Sequence, residues 1–417
     1  MRSVVLKRDY MQFKKGDVLS TLSDTKENSI EVVHNGRSFD IPRVYCEVTW
    51  SPLTPPVSPP IPTKTDTPTL SGLMGADPIG MTAPVAPPSP AVAPPILSLE
   101  DNQVHMSFFT GGVLPDSKVD RVISMYPSDT WSDEHWDMIP EFDPNYVWDA
   151  NMLECLILGQ EDQERVLFVG LPGTGKTTAH EQYAAIVGQP FMAINGKDGM
   201  EPSSYLGCVA PDGAGGWAWK DGVLPVCMKE GYYLCVDEVF KISAGINMAM
   251  QSVWQRGGRL VLDDKPADLK GKTIIPDPKF LLMATDNVKG LGDNFGKFAG
   301  TQMQDTSMLD RFDTTYTVPY MPEKTERHLM ESMFRTVDRD VIRQIVQVAG
   351  LIRKGYATDE ISLTLSQRGL RSMCRKIAKD VNPWAAFKYA YLEKLSDPSE
   401  IQAVESFAQT CGMSTSI

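Results

Sequence analysis

The run Gly170-Leu171-Pro172-Gly173-Thr174-Gly175-Lys176-Thr177 fills every position of G-x-x-x-x-G-K-[ST], follows the apolar run VLFV and opens a helical pattern that continues to Val187. A strand, a glycine loop and a helix in that order admit few folds. The loop must turn its backbone N–H groups inward around an anion, and the helix must present its positive end to the same point. Gly170, Gly173 and Gly175, with Pro172, Thr174 and Thr178, therefore read as a phosphate cradle. Lys176 is placed to reach β and γ phosphates, and Thr177 to offer its hydroxyl to Mg²⁺. The expected cofactors are ATP and Mg²⁺.

Further along, the apolar strand Tyr232-Tyr233-Leu234-Cys235-Val236 ends in Asp237-Glu238. An acid pair at a strand end suits the same chemistry. Asp237 can orient the water shell of the magnesium, and Glu238 can polarise the water that attacks the γ-phosphate. A GTPase would need an N-K-x-D base-reading motif, and Asn195-Gly196-Lys197-Asp198 has the wrong order.

Beyond residue 98 apolar strands alternate with helical stretches: VLFV, the segment Lys176 to Val187, FMAIN, YYLCV, the segment Ser243 to Gln255, FLLMA and TTYTVPY. That alternation predicts an α/β fold with a parallel sheet and helices on both faces. In such a sheet the working edge lies at the carboxyl ends of the strands, so Asn287, just past FLLMAT, arrives beside the glycine loop and the acid pair. A neutral amide there can align a water or touch the γ-phosphate, and the glycine-rich run behind it can move when that phosphate leaves. From Glu323 no strand is convincing. The stretches EKTERHLMESMF, RDVIRQIVQVAGLI, LRSMCRKIAKD and PWAAFKYAYLEKL predict a separate α-helical lid.

Upstream the text changes. Residues 51–95 hold 14 of the chain's 31 prolines, with Lys64, Asp66 and Asp77 the sole charges. Proline-rich chain extends at ~3.1 Å per residue, so this segment is a spacer with a reach on the order of 140 Å. Before it, four β-rich runs and a turn at His34-Asn35-Gly36 predict a small SH3-like barrel. The expected division is a β module over 1–50, a Pro-rich linker over 51–98, an ATPase core over 99–322 and the helical lid over 323–417.

Charge and cysteine content narrow the partners. A net charge of −13 argues against a general grip on nucleic acid, and twelve carboxylates face only Lys118 and Arg121 between Glu100 and Glu154. The seven scattered cysteines form no C-x-x-C pair and suit a reducing compartment. The start, MRSVVLKRDY, lacks the apolar stretch of a signal peptide, and no run approaches the ~18 residues that a membrane helix needs. The chain reads as cytoplasmic, without a membrane partner.

The segments IPEFDPNYVWD, LFVGLPGTGKTTAHEQYAA, WKDGVLPVCMKEGYYLCVDE, GGRLVLDD, FLLMATDNVKGLGDNFGKFAGTQ and LDRF, between Ile139 and Tyr320, resemble the ATPase subunits of aerobic cobaltochelatases, the CobS type. That type belongs to the MoxR-like branch of the AAA+ ATPases. The resemblance implies a homo-oligomeric ring, usually a hexamer, with ATP sites between neighbours. It aligns Lys176 and Thr177 with Walker A, Asp237 and Glu238 with Walker B, and Asn287 with sensor 1. Arg311, in Leu309-Asp310-Arg311-Phe312, matches the arginine finger, and Arg368, in Ser366-Gln367-Arg368, resembles sensor 2. The stretch 199–219 resembles the hairpin that faces the pore in this branch, with Trp217 and Trp219 either contact points or packing.

The implied activity is ATP hydrolysis that remodels a partner, which the CobS resemblance makes a chelatase large subunit or a von Willebrand A-type adaptor. The alternatives are a MoxR-like remodeller of a non-corrin target, phage-encoded among the options, and a nucleotide-gated scaffold without turnover. The scaffold would lack a catalytic acid or a finger, whereas Glu238, Asn287 and Arg311 are all present.

Overall fold

The computed structural model describes residues 102–413, apart from 128, 198, 214, 267–270 and 289–305, together with the backbone of five strands in the first fifty residues. The chain divides into two units, Met1–Asp101 and Asn102–Ile417.

In the first unit Ser3–Leu6, Val18–Ser23, Ser29–His34, Arg37–Pro42 and Cys46–Thr49 form one antiparallel sheet, in which the order runs fourth, third, second, first, fifth. His34 pairs with Arg37, and the Asn35-Gly36 of the expected turn lies outside the described residues. The proline-rich segment 51–98 lies outside the described residues.

The second unit is built on strands β1 (Val166–Val169), β2 (Phe191–Asn195), β3 (Tyr233–Asp237), β4 (Leu281–Asp286) and β5 (Thr314–Thr317). All pair in parallel, in the order β5-β1-β4-β3-β2. Burial explains the sequence of each strand. The inner strands are buried, β1 as the unbroken apolar run VLFV, β4 as LLMA followed by Thr285-Asp286, and β3 up to Asp237, whereas no residue of the edge strands β2 and β5 is fully buried.

Period two sends successive side chains to opposite faces. Val166, Phe168 and Met283 join a core with α1 (Ala150–Asp162) and α2 (Lys176–Val187), through Leu153, Leu156, Ala179 and Tyr183. Leu167, Val169, Leu282 and Ala284 face the other core, with Leu224 and Met228 of α3 (Val223–Glu230), Trp254 and Phe312. Two short hairpins, Gly207–Pro211 with Trp217–Asp221 and Leu260–Val261 with Thr273–Ile274, flank the sheet.

One expected helix is much shorter than its pattern. Within residues 243–255 only Ala244–Ala249 is helical. The chain then folds back so tightly that a side chain at Gly258 would meet the carbonyl oxygen of Ser252 at 1.5 Å. Gly257-Gly258 permits that return, and Met250, Val253 and Trp254 are buried by turns instead of by a continuing helix.

The carboxyl-terminal part is helical, as α4 (Glu323–Met333), α5 (Arg339–Ala357), α6 (Gln367–Ile377), α7 (Pro383–Ala390) and α8 (Pro398–Thr410), around a core of its own. α8 has no counterpart among the sequence-predicted helices. Its signals are local ones: Asp397 caps the Ser399 N–H at 2.8 Å, Pro398 opens the first turn, and Val404 and Ala408 are buried at helical spacing. Ser366 caps α6, which begins at Gln367 and so carries Arg368 in its first turn.

Candidate nucleotide site

The glycine loop leaves β1 at Gly170, whose N–H donates to the Asp286 carbonyl at 3.2 Å. Two glycines adopt left-handed backbone, Gly173 at φ 77° and Gly175 at φ 91°, where a side chain is strained. Gly173 also needs to be bare for contact with the lid, since a Cβ would stand 2.4 Å from that of Ser366. Thr174 closes the turn through its hydroxyl to the Leu171 carbonyl at 3.1 Å.

Lys176 is 7% exposed, and its Nζ donates to the carbonyls of Gly170 at 2.6 Å and Leu171 at 3.1 Å, and to Asn287 Oδ1 at 3.1 Å. Burial lowers its pKa to about 8. The carboxylates of Asp237, Asp286 and Glu238 oppose that fall, and Arg368 adds to it. A cation partly stripped of water and held by carbonyls is ready to exchange those weak partners for phosphate oxygens.

Strands β3 and β4 supply the acids. Thr177 Oγ1 donates to Asp237 Oδ2 at 2.9 Å, and the Thr285 hydroxyl engages the other oxygen, so hydroxyl and carboxylate stand together where an octahedral cation would need them. Glu238 follows in left-handed backbone, φ 55°, a conformation unusual for a residue with a side chain. Its Oε1 accepts from Asn287 Nδ2 at 3.0 Å, and its Oε2 pairs with Lys241 Nζ at 2.8 Å. Behind it Gly196 approaches so closely that a Cβ would lie 2.3 Å from the Glu238 carbonyl oxygen.

These groups line one cavity. Pro172, Gly173, Gly175, Lys176, Thr177 and Thr178 form its floor, Asp237, Glu238 and Asn287 one wall, and Gln367, Arg368 and Arg371 of α6 the lid side, with Tyr146 at the amino-terminal side. Gly170 and Thr174 shape the loop without lining it. Arg311 does not line it either. Its guanidinium is held by the Ser307 carbonyl, with the Gln251 amide beside it. Trp217 and Trp219 differ from each other: Trp217 is 73% exposed, whereas the Trp219 indole donates to Asp221 at 2.8 Å. The glycine-rich run after Asn287 lies outside the described residues from 289.

The donor set fits a triphosphate. Three cations, Lys176, Arg368 and Arg371, face the cavity, and Arg371 Nε is buried without a hydrogen-bond partner among the described residues. No cluster of three or more His, Cys, Asp or Glu side chains among the described residues would hold a metal. A Mg²⁺ here would therefore rest on Thr177, Asp237 and phosphate oxygens together, as hard cations bound with nucleotides do. No described helix is long and apolar enough to cross a membrane.

Sequence reasoning missed Tyr146, Gly196, Lys241, Asp286, Gln367 and Arg371. Arg371 had a readable signal, one helical turn after Arg368 on the same face. Asp286 and Gly196 had none, because each matters through contacts with distant strands.

Residues 165–300 match the family model of the AAA domain, dynein-related subfamily. The aerobic cobaltochelatase subunit CobS of a Sinorhizobium species is 28% identical over 282 residues, which span 66% of this chain and 83% of CobS. The chaperone MoxR1 of Mycobacterium tuberculosis is 25% identical over 208 residues, half of this chain and 49% of MoxR1. Midasin of Giardia intestinalis is 32% identical over 151 residues, 35% of this chain but 3% of midasin. The chain thus spans most of CobS, about half of MoxR1 and a small part of midasin.

Proposed function

We propose that this chain, a MoxR-like AAA+ ATPase related to CobS, hydrolyses Mg-ATP as a ring, most simply a hexamer, and uses the turnover to remodel a partner protein. The observation that carries the reading is the pairing of Glu238 with Asn287 at 3.0 Å, beside a buried Lys176 that touches the same amide.

Mg²⁺, when bound, neutralises charge on the β and γ phosphates. Thr177 and Asp237 would hold it, and Lys176 leaves its carbonyl partners to bind the transferred phosphate. Glu238 accepts a proton from the attacking water. Both of its oxygens are already engaged once, but each keeps a further lone pair for that water. Asn287 aligns the pair, and Arg368 reports on the γ-phosphate from the lid. Arg311, which does not line its own chain's cavity, is assigned to the site of a neighbouring subunit, where its planar fork stabilises spread phosphate charge. Gly170, Pro172, Gly173, Thr174, Gly175 and Thr178 complete the cradle.

The partner classes suggested by CobS are a chelatase large subunit and a von Willebrand A-type adaptor. The amino-terminal sheet, read as an SH3-like module on a Pro-rich linker, is the part suited to selecting the target. We place the protein in the cytoplasm.

Glu238→Gln is expected to keep ATP binding and to lower steady turnover by at least roughly 10²-fold. Turnover equal to the parent's removes Glu238 from its role. Mixing Lys176→Ala with Arg311→Ala subunits should restore part of the activity, and no recovery at any ratio counts against a shared site.

A further inference from the structure

Asp286 lies at the end of β4, 2% exposed, and touches all three loops of the site without lining the cavity. Its main-chain carbonyl accepts from the Gly170 N–H at 3.2 Å, at the root of the phosphate loop. Its Oδ2 accepts from the Phe240 N–H at 2.8 Å, in the turn directly after Glu238. Its Oδ1 accepts from the N–H groups of Asn287 at 2.7 Å and Val288 at 3.0 Å. One carboxylate therefore straps the turn that carries the acid to the loop that carries the amide.

The strap has something to hold. Glu238 sits at φ 55°, and the 3₁₀ turn Val239–Lys241 that follows brings Lys241 Nζ back onto the Glu238 carboxylate. A left-handed residue persists only where its surroundings over-determine it. The Phe240 N–H to Asp286 bond is a long-range anchor of that turn, and the same side chain sets where Asn287 starts. We propose that Asp286 is a positioning residue for hydrolysis, which holds Glu238 and Asn287 in mutual register while leaving nucleotide binding to the rest of the site. The proposal rests on the ATPase reading above.

The side chain is separable from the phosphate loop, because the loop is held by the main chain of Asp286. Asp286→Ala and Asp286→Asn in the full-length protein should therefore lower kcat at least roughly tenfold, with the KM for ATP and the affinity for ADP within about threefold of the parent. Amide hydrogen exchange at Phe240 should speed up by at least about tenfold, with β1 amides unchanged.

Parental kcat in both variants, a loss confined to KM, or unchanged Phe240 exchange overturns the proposal. So does loss of the fold in both variants, which would make Asp286 a structural residue. A parent protein that does not hydrolyse ATP sinks the preceding functional reading instead, and the exchange at Phe240 then decides the strap by itself.

Discussion

The Tyr320 hydroxyl lies 3.0 Å from the Pro172 carbonyl oxygen and 3.0 Å from the Thr364 hydroxyl, so a single side chain ties the phosphate loop to the segment that leads into α6. The tie is backed from within the lid. The Arg353 guanidinium stacks 4.1 Å over the Tyr320 ring and donates twice to the buried Glu326, at 2.7 and 2.9 Å, and its Nε donates to the Leu365 carbonyl at 2.9 Å. Arg368 and Arg371 thus meet the cavity from a lid whose angle is referenced to the loop itself.

Tyr320→Phe keeps the ring and its stacking and removes only the hydroxyl. We expect a loss of about 1 kcal/mol, read as a fall of roughly 2–4 °C in melting temperature. Titration calorimetry should also show weaker ATP affinity, by at most about fivefold, because only the part of that free energy that differs between the empty and the ATP-bound lid enters binding. Binding and melting both equal to the parent's would show that the tie does not transmit to the nucleotide.

The lowered pKa of Lys176 makes ATP binding weaken as pH rises above neutrality. Below about 8 the folded protein already carries the ammonium, so binding takes up no proton there. Above that value the amine is neutral, and phosphate, which favours the charged form, must recruit a proton. Affinity of the parent protein for a non-hydrolysable ATP analogue should be flat at neutral pH and fall by up to about tenfold per pH unit above about 8. Lys176→Arg, with a fixed charge, should lose the slope. A parental slope retained in Lys176→Arg would assign it to another group.

Gly196 donates its N–H to the Asp237 carbonyl at 2.6 Å and has no room for a side chain against Glu238. Gly196→Ala would push the Glu238 main chain aside by an appreciable fraction of an ångström. Displacement on the order of 1 Å at a reacting group costs about 10²-fold in rate. We expect kcat to fall by ten- to a hundredfold, roughly, with ADP binding near the parental value and a melting temperature lower by several degrees, because the clash is with backbone. A variant that turns over like the parent would show that the main chain at Glu238 yields without moving the carboxylate.

Some of this was legible in the chain alone. Each of β1 to β4 was announced by a short apolar run, β5 by the β-branched and aromatic run TTYT, and the cradle by glycines at fixed spacing, because solvent exclusion and left-handed backbone are requirements that a few adjacent residues meet by themselves. Asp237, Glu238 and Asn287 could be placed at one edge because parallel strands bring their carboxyl ends together. Helix α8 carried its cap, Asp397-Pro398, and its apolar spacing, Val404 and Ala408, in adjacent residues as well.

Other features belong to the tertiary structure. Nothing local distinguishes Asp286 from any acid after a strand; its role depends on the register of β4 against β1, which brings it to Gly170, and on a turn 46 positions earlier. The closeness of Gly196 to Glu238 comes from the pairing of β2 with β3, and the early end of the helix at Ala249 from a backbone return at Gly258. Hydrogen bonds and steric contacts between residues far apart in the chain exist only once the sheet is assembled. The sequence therefore determined which chemistry is present, and the packed sheet decided which groups aim it.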